Sequence, residues 1–467
     1  MGRDLVGSRS FLDAVGAALY AVLRVPVRAA VGSYFRPIVI RDVDRIPASG
    51  PVLVIANHPA TLSEVFLLGT RLGRRFHFLA ASFTFQPWIR GLFMRLCGSL
   101  PIYRRQDDPD LTYRNEQTFR ACHDLFDRGG AIVIFPEGES EKDRSLLPLR
   151  TGAARLSLGY DSRPGREGTL AVVPVGLYFS DREAFRSEVV VSVGPPIPLD
   201  PYRQMGIEDP QGAVRALTAS MQQSLEALIL NVPNKAVAGF VRDVERLYLD
   251  DLREERPGEH ELQLLQRIAG CIHYYKETDP ERLYSAWRRT AAYWRKLDAL
   301  GLEDMALRER LRSQTSPRSL ARAIGAALGL LPAGAGIVAN YLPFRVSELA
   351  ASRFAPGAIQ LSAGRIVAGA VFFPLTYLLG AAGLRLGAGW SWAAVAILLS
   401  LSAALGYFAL FYLRWLKGER ERLRLAILVS RRRRQVAKLR TERKALIREF
   451  DRARNEYLAA IAANPVP

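Results

Sequence analysis

Two uncharged apolar runs near the carboxyl end constrain this chain more than any other feature of its sequence. They extend over residues 366–384 and 390–413, each close to the roughly 20 residues that a helix needs to cross a bilayer. A short connection through Arg385 joins them, which predicts a helical hairpin. Trp390 and Trp392 suit the interface between membrane and water. The sequence therefore predicts a multi-pass protein of the cell membrane.

Basic residues on both sides of this hairpin predict its orientation. Arg345, Arg353 and Arg365 precede the two runs, and Arg414 and Lys417 follow them. Basic flanks favour the cytoplasmic side of a membrane. We therefore expect both flanks, and the amino-terminal domain with them, to be cytoplasmic.

An earlier apolar segment, residues 317–365, is expected to behave differently. Its apolar part is interrupted by Gly329, Pro332, Gly334 and Gly336. Irregular backbone at membrane depth is tolerated only where it is buried or lines a cavity. The composition therefore favours a re-entrant or surface-lying segment over a complete span.

Residues 35–232 alternate apolar, strand-like runs with helical stretches. Residues 52–56 and 131–134 have the length and composition of buried strands, while residues 112–128 and 212–230 have the pattern of helices. This alternation predicts an α/β fold with a mixed sheet flanked by helices.

The first strand-like run ends at a polar loop that holds a histidine and a carboxylate. His58 follows the run almost directly, and Glu64 comes six positions later. An imidazole at the rim of a sheet, oriented by a carboxylate, has the arrangement of a general base. Taken alone, such a pair is more often a solvated pair in a loop, so its interpretation depends on the rest of the chain.

Further blocks follow in order along the chain. Residues 98–105 place two arginines after a turn, residues 135–140 form a polar loop after a buried run, and a third run carries Pro174. With residues 147–154, this ordered set resembles the glycerolipid acyltransferase family, typified by lysophosphatidate acyltransferase, over roughly residues 30–200. Enzymes of this family move a fatty acyl group from a thioester onto a glycerol hydroxyl.

The resemblance implies a role for each block. His58 would be the catalytic base that takes the proton from the acceptor hydroxyl, and Glu64 the carboxylate that holds the imidazole. Arg104 stands at the family's phosphate-binding arginine, and a guanidinium can make two parallel hydrogen bonds to a phosphate. The remaining candidates are Glu137, Gly138 and Ser140, which would bind the acceptor, and Pro174, in the block associated with acyl-chain or thioester binding.

The sequence departs from the family pattern at the carboxylate. The common form has an aspartate after four intervening residues, whereas here Ser63 takes that position and Glu64 comes after five. Because a glutamate has one more methylene, it can reach the ring nitrogen from a displaced backbone, and activity is expected. The alternative is that the pair has decayed and the domain only binds lipid.

The composition agrees with a protein that faces lipid. Lys and Arg number 64 against 46 Asp and Glu, which gives a net charge of +18 and favours an anionic partner. The apolar membrane segments favour phospholipid headgroups over nucleic acid as that partner. Cys97, Cys122 and Cys271 show no spacing typical of a zinc site, so no metal is expected. The resemblance implies acyl-CoA or an acyl-carrier-protein thioester as co-substrate and no cofactor.

Helical segments complete the expected organisation. Residues 1–34 predict an amphipathic helix that either lies in the headgroup region or packs on the next domain. A charged helical subdomain follows at 233–316, and the two membrane helices lie within 366–413. Residues 414–467 predict a basic cytoplasmic helix with an apolar seam. Contact with anionic lipid is favoured for this helix, and a coiled-coil dimer is the alternative.

The sequence therefore predicts a membrane-bound O-acyltransferase of phospholipid synthesis, with residues 35–232 as its acyltransferase domain. The acceptor is glycerol 3-phosphate or 1-acylglycerol 3-phosphate, and Arg104 would recognise the phosphate of either. The layout of helical segment and paired spans resembles the branch related to fungal glycerol-3-phosphate acyltransferases. A non-catalytic lipid-binding membrane protein on the same domain is the alternative.

Overall fold

The computed structural model divides the chain into two compact units. The first contains Met1–Pro233 and Ala350–Ala370, and the second contains Asn234–Leu349 and Val371–Pro467. The residues that the structure describes are 3–59, 62–139, 145–182, 184–230, 235–256, 259, 261–304, 307, 318–354, 361–431 and 433–463.

The described residues of the first unit form a seven-stranded sheet. Its strands are β1 (Phe35–Arg41), β2 (Val52–Ala56), β3 (Phe76–Ala81), β4 (Leu100–Ile102), β5 (Ala131–Ile134), β6 (Ala171–Phe179) and β7 (Ser187–Val193). Their order across the sheet is β1-β7-β6-β2-β5-β3-β4. All neighbours pair in parallel except β6 and β7, which are antiparallel. The mixed sheet predicted from the sequence is confirmed.

Strand β2 shows why its sequence is apolar at every position. Val52, Val54 and Ala56 belong to a core on one face of the sheet, whereas Leu53 and Ile55 belong to a core on the other. Successive side chains of a strand point to opposite faces. A strand that is covered on both sides therefore needs no polar position. Burial of each such valine, leucine or isoleucine stabilises the fold by roughly 1.5–3 kcal/mol.

Helices cover both faces of this sheet. The helices of the first unit are α1 (Arg3–Tyr34), α2 (Leu62–Arg71), α3 (Trp88–Leu96), α4 (Asn115–Asp127), α5 (Gly152–Asp161), α6 (Asp200–Glu208) and α7 (Pro210–Leu228). One core receives side chains from α1 and α2, and the other receives them from α4, α5 and α7. The α/β fold flanked by helices is therefore confirmed.

Helix α1 packs against helix α2 within the first unit. The Tyr20 hydroxyl donates to the carbonyl of Gly69 at 2.6 Å, and Arg28 donates to the carbonyl of Thr70 at 2.9 Å. Val31, near the end of the helix, is fully buried. The helix therefore contacts the rest of this unit, and its position in the headgroup region of a membrane stays a prediction.

The second unit is helical, and seven helices follow residue 234 in the described part of the chain. They are α8 (Lys235–Glu255), α9 (Glu261–Thr278), α10 (Pro280–Leu300), α11 (Arg318–Phe354), α12 (Leu361–Ala382), α13 (Trp392–Arg431) and α14 (Arg433–Ala463). A π-helical turn, Gly383–Gly387, connects α12 to the short loop before α13. This arrangement matches the predicted helical hairpin.

Helix α11 runs through the glycines and the proline that predict an interruption, and its re-entrant or surface-lying position at the membrane stays a prediction. It is continuous, and Ile324–Arg353 is long and apolar enough to cross a membrane. Two of its glycines serve close packing. A Cβ on Gly329 would clash with the ring of Tyr412, and a Cβ on Gly336 would clash with the carbonyl of Leu405. Small residues let apolar helices approach closely. The glycines that suggest a broken segment in the sequence therefore allow α11 to pack closely against α13.

A polar side chain also links the apolar helices of the second unit. Asn340 of α11 donates to the carbonyl of Ser402 at 3.0 Å and accepts from the Tyr377 hydroxyl at 2.7 Å. These contacts tie α11 to α13 and α12. Such hydrogen bonds are used between helices in apolar surroundings. By length and composition, the described residues contain four candidate membrane spans: Ala14–Tyr34, Ile324–Arg353, Ala363–Gly387 and Trp392–Arg420.

The apolar seam of α14 is buried inside the second unit. Val436, Leu439, Leu446 and Phe450 are each at most 8% exposed, and α14 contacts α8, α9 and α10. A coiled-coil dimer through this helix, the alternative drawn from the sequence, stays a prediction. The apolar side chains already have partners within the chain. Lipid contact by the basic side chains of the helix stays a prediction.

The arginine that interrupts this seam belongs to a buried ion-pair cluster. Arg443 is 3% exposed, and its Nε donates to both carboxylate oxygens of Asp304 at 3.0 Å. Its Nη2 donates to Asp251 at 2.7 Å. Removal of one partner from a buried pair typically costs about 3–5 kcal/mol, because it leaves an uncompensated charge. The interruption in the apolar pattern is therefore part of the packing.

Candidate active site

The end of β2 is fixed by a side chain that continues the sheet. Asn57 is 7% exposed; its amide donates to the carbonyl of Leu177 on β6 at 3.0 Å, and its oxygen accepts from the Leu177 N–H at 2.7 Å. The side-chain amide of Asn57 thus takes the place of a strand backbone in pairing with Leu177 of β6. The main chain is free to turn at this point, and the next residue, His58, lies at the edge of the sheet.

His58 and Glu64 form the centre of the candidate site. Glu64 lies in the first turn of α2, and its fully buried carboxylate is hydrogen bonded to Nδ1 of His58. The His58 side chain is 18% exposed. Its ring stacks on that of Phe135, with centroids 4.2 Å apart and planes at 15°. A carboxylate on one side and an aromatic ring on one face therefore hold the imidazole in a single orientation.

Glu137 braces the loop that carries His58. Its Oε1 accepts the backbone N–H of His58 at 2.7 Å, and its Oε2 accepts the backbone N–H of Leu147 at 3.0 Å. Glu137 is 4% exposed. Both oxygens of this carboxylate therefore bind main chain, on two different loops. Its role in acceptor binding, implied by the resemblance, stays a prediction, and the geometry gives it a positioning role.

The charges around His58 make its imidazole easier to protonate than a free imidazole in water. Burial opposes the charge on His58, but the carboxylates of Glu64 and Glu137 outweigh it and hold the pKa of His58 above its ordinary value. The positive charge of Arg104 acts in the opposite direction. Burial also raises the pKa of Glu137, although its two backbone hydrogen bonds oppose this shift. A base in this setting binds a proton readily when one becomes available.

Arg104 connects two of the blocks identified in the sequence. Its guanidinium donates to the carbonyl of Gly138 and to the carboxylate of Asp107, and it lies over the ring of Phe83 at 5.5 Å. Gly138 has a φ of +75°, a conformation that glycine adopts without strain. The arginine and the glycine predicted to bind the acceptor are therefore in contact.

A second arginine, which sequence reasoning does not single out, reaches the same place. The Nε of Arg150 would be 3.1 Å from a Cβ at Gly138, so its side chain lies against that glycine. Arg150 also donates to Gln106 at 2.9 Å and pairs with Glu139 at 3.4 Å. Its membership of the 147–154 block is the sequence signal that could have identified it.

Two predicted residues lie elsewhere or are not described. Pro174 is buried within β6, opposite Ile55 of β2, so it belongs to the sheet and not to the loops that hold His58. Ser140 lies outside the described residues. The acyl-binding role of Pro174 and the acceptor-binding role of Ser140 stay predictions.

His77, His123 and the three cysteines have structural surroundings. His77 in β3 bonds to the carbonyl of Gly98 at 2.9 Å, and His123 in α4 bonds to the carbonyl of Leu156 at 3.3 Å. Within the described ranges, no group of three or more His, Cys, Asp or Glu could hold a metal ion. The cysteines are free, and burial raises the pKa of Cys122 to about 12.

The comparison with known families agrees with this arrangement. Residues 37–178 match the family described as Acyltransferase. The chain contains an acyltransferase domain. The matched part of this acyltransferase domain includes His58, Glu64, Arg104 and Glu137. The family resemblance drawn from the sequence is therefore confirmed.

Curated relatives match part of the chain. Glycerol-3-phosphate O-acyltransferase 2 of Saccharomyces cerevisiae is 32% identical over 192 residues, which is 41% of this chain and 25% of the yeast protein. The chloroplastic 1-acyl-sn-glycerol-3-phosphate acyltransferase LPAT1 of Arabidopsis thaliana is 28% identical over 151 residues, 32% of this chain and 38% of the plant protein. The chain thus spans less than half the length of either relative.

A solved structure resembles part of the chain. The crystal structure of PlsC, the 1-acyl-sn-glycerophosphate (LPA) acyltransferase of Thermotoga maritima, matches 48% of this chain and 88% of its own. The sequence identity is 16% and the TM-score is 0.33.

Proposed function

We propose that this chain is a membrane-bound O-acyltransferase that moves a fatty acyl group from an acyl thioester to glycerol 3-phosphate or 1-acylglycerol 3-phosphate in phospholipid synthesis. The observation that carries the proposal is the hydrogen bond between Nδ1 of His58 and the buried Glu64, within a domain of the acyltransferase family. The two relatives described above are named for these two acceptors.

His58 acts as the general base. Glu64 accepts a hydrogen bond from the Nδ1–H of His58. The other ring nitrogen, Nε2, makes no hydrogen bond to the described residues. With the proton on Nδ1, Nε2 has a lone pair that can accept a hydroxyl proton. It takes that proton as the acceptor oxygen attacks the thioester carbonyl carbon. Glu64 then stabilises the positive charge on the ring.

The second half of the reaction returns the proton. The tetrahedral intermediate keeps its new C–O bond and breaks the C–S bond, so the electron pair leaves on sulfur. The proton held on His58 passes to the thiolate, which gives an ester and a free thiol. Because the thioester is already activated and the thiolate is a competent leaving group, the proposal requires neither an acyl-enzyme nor a metal or other cofactor.

Arg104 and Arg150 are proposed to bind the acceptor phosphate. Both arginine side chains lie against Gly138. Both are partly exposed to solvent, 23% for Arg104 and 60% for Arg150. Two planar guanidiniums can bind a phosphate through several charged hydrogen bonds. The phosphate would be held at the loop after β5 while the hydroxyl meets His58.

The cellular setting is part of the proposal. The hairpin of α12 and α13 would make the protein multi-pass and return the chain to its starting side. The acyltransferase domain and the basic carboxyl-terminal helix would then both lie in the cytoplasm, where acyl-CoA or acyl carrier protein would be the donor. Anionic phospholipid headgroups, and not nucleic acid, are the partners proposed for the excess of basic residues. Protease protection of tags placed at either end of the chain would test this orientation.

The first test is acyl transfer by the purified, detergent-solubilised protein. Labelled acyl-CoA is supplied with glycerol 3-phosphate or 1-acylglycerol 3-phosphate in parallel, and the assay is repeated with acyl-carrier-protein thioesters. We expect product from one acceptor and none from His58→Ala. The matched control is His273→Ala, which removes another histidine that pairs with a glutamate but lies exposed on α9.

The outcomes separate the two function classes. Product with both variants would exclude His58 as the base. An absence of product from every acceptor and donor with the unaltered protein would favour the alternative, a non-catalytic lipid-binding protein on an acyltransferase domain. Circular dichroism of His58→Ala shows whether a lost activity reflects a lost fold.

A further inference from the structure

An exposed apolar surface follows strand β3, next to the candidate active site. It lies on the turn Ser82–Phe85 and on helix α3, and its five large side chains are 47–72% exposed. Large apolar side chains gathered in this way mark a site of interaction. We call this the α3 surface, and its residues are Phe83, Trp88, Ile89, Leu92 and Phe93.

The backbone of this surface is held in place by the turn before it. Gly91 packs against the carbonyl of Phe85 so closely that a Cβ would clash. Arg90 donates to the carbonyl of Phe83 at 3.1 Å, and Ser82 donates to the carboxylate of Asp108. One side of α3 is thus fixed to the protein, while its apolar side chains project into solvent.

The charged residues within the segment that forms the α3 surface have one sign. Residues 82–99 include Arg90 and Arg95 and no acidic residue. Helix α1 contacts α3, and residues 14–34 of α1 also lack acidic residues, while Val22 and Val25 there are 69% and 71% exposed. Asp108, which accepts from Ser82, lies at the edge of this surface, while the basic residues on the two helices make its apolar side chains complementary to the headgroup region of an anionic bilayer.

We infer that the α3 surface inserts into the surface of the bilayer and delivers the long-chain substrate to the site. Phe83 links the two places, because its ring lies 5.5 Å from the Arg104 guanidinium. An amphiphile with its chain along α3 would have its phosphate near Arg104. The delivery step rests on the proposed function, whereas the insertion of α3 does not.

Insertion is tested by a fluorescent label in vesicles. The protein, with Cys97, Cys122 and Cys271 replaced by alanine, is reconstituted into phosphatidylcholine vesicles with and without phosphatidylglycerol, and an environment-sensitive dye is attached at Ile89→Cys. The matched control is Ile207→Cys on α6, an exposed apolar position away from this surface. We expect blue-shifted emission and quenching by brominated lipid at position 89 only, with a larger effect in anionic vesicles.

Two results would overturn the insertion. One is equal response at positions 89 and 207. The other is a label at position 89 that is shielded from a water-soluble quencher but not quenched by brominated lipid, which would indicate a protein neighbour instead of lipid. Since the cysteine-free protein could fail to fold, the unlabelled Trp88→Tyr variant gives a second reading. It should lose part of the tryptophan emission that brominated lipid quenches, and an unchanged quenched fraction would contradict insertion.

Delivery is tested by activity with two forms of the same substrates. The variant carrying Trp88→Ser, Ile89→Ser and Leu92→Ser should lose about tenfold in kcat/KM with long-chain substrates in vesicles, because apolar area is lost at the membrane. It should keep its activity with short-chain, water-soluble forms. Equal loss with both forms would contradict delivery. If the unaltered protein is inactive with both forms, that result contradicts the proposed function. The fluorescence of the label at position 89 then decides whether α3 inserts.

Discussion

Two regions of this molecule contain a histidine paired with a glutamate, and they differ in almost everything else. His58 and Glu64 lie at the end of β2, where the carboxylate is fully buried and the ring is 18% exposed. His273 and Glu277 lie one turn apart on α9, 3.4 Å from each other, with side chains 69% and 67% exposed. A histidine next to a glutamate is therefore not enough to identify a general base.

The difference between the two pairs lies in what surrounds them. The ring of His58 is stacked on Phe135, and its backbone N–H is bound by Glu137. The exposed pair on α9 has water around it, and surface pairs of this kind typically contribute less than about 1 kcal/mol. Fixed geometry at low dielectric turns a common pair of residues into a candidate catalytic unit.

The largest expected effect comes from neutralising the carboxylate in each pair. Glu64→Gln should lower kcat by about 100- to 10,000-fold, because the imidazole loses both its orientation and the charge that stabilises its protonated form. Glu277→Gln should leave kcat unchanged. Steady-state kinetics of both variants checks this, and comparable losses in the two variants would mean that burial does not distinguish the pairs.

A smaller effect is expected from the brace behind His58. Glu137→Ala leaves the backbone N–H groups of His58 and Leu147 without their acceptor, and each unsatisfied group costs about 1–3 kcal/mol. Thermal unfolding should show that loss of stability, and kcat should fall with little change in the acceptor KM. A large rise in the acceptor KM with kcat maintained would instead assign Glu137 to acceptor binding.

The arginines at Gly138 sharpen the comparison, because they lie close to the first pair at a place suited to an anionic group. Arg104→Lys should raise the acceptor KM about tenfold, since an ammonium cannot replace the planar fork of a guanidinium. Arg150→Lys should act in the same direction with a smaller effect, because Arg150 is more exposed. Kinetics with the acceptor varied at saturating thioester measures both. An unchanged acceptor KM in both variants would contradict phosphate binding at this place.

The smallest expected effect is a displacement of the pH profile. Because His58 must be neutral to act as a base and its pKa is raised, kcat/KM should fall as the pH drops through a value above about 6.5. In Glu64→Gln, burial opposes the charge with less compensation, so this acid limb should move to lower pH by roughly 1–3 units. A limb that stays in place would show that another group titrates.

Local sequence pattern predicts part of this structure well. The five apolar residues of β2 and the polar loop after them predict a buried strand that ends beside a histidine, and the structure has both. The reach of Glu64 also follows from the sequence, since its extra methylene suits a carboxylate placed in the first turn of α2. These features depend on neighbours in sequence, where alternation and spacing carry the information.

Contacts between distant segments are harder to predict. Arg150 is one of 64 basic residues, and only the path of the chain after β5 brings it to Gly138. Glycines in α11 count against a helix in propensity terms, yet they allow the approach of Tyr412 and Leu405. The seam of α14 likewise does not reveal whether its partner is lipid, a second copy or the same chain. Tertiary packing decides in all three cases.

The amide of Asn57 has a consequence for how the candidate base is located. Because a side chain completes the pairing with Leu177, the last rung of the β2 and β6 ladder does not depend on the backbone of the catalytic loop. A substitution in that loop can therefore displace the candidate base without pulling the two strands apart. The backbone that carries His58 is thereby tied to the buried centre of the sheet through the side chain just before it.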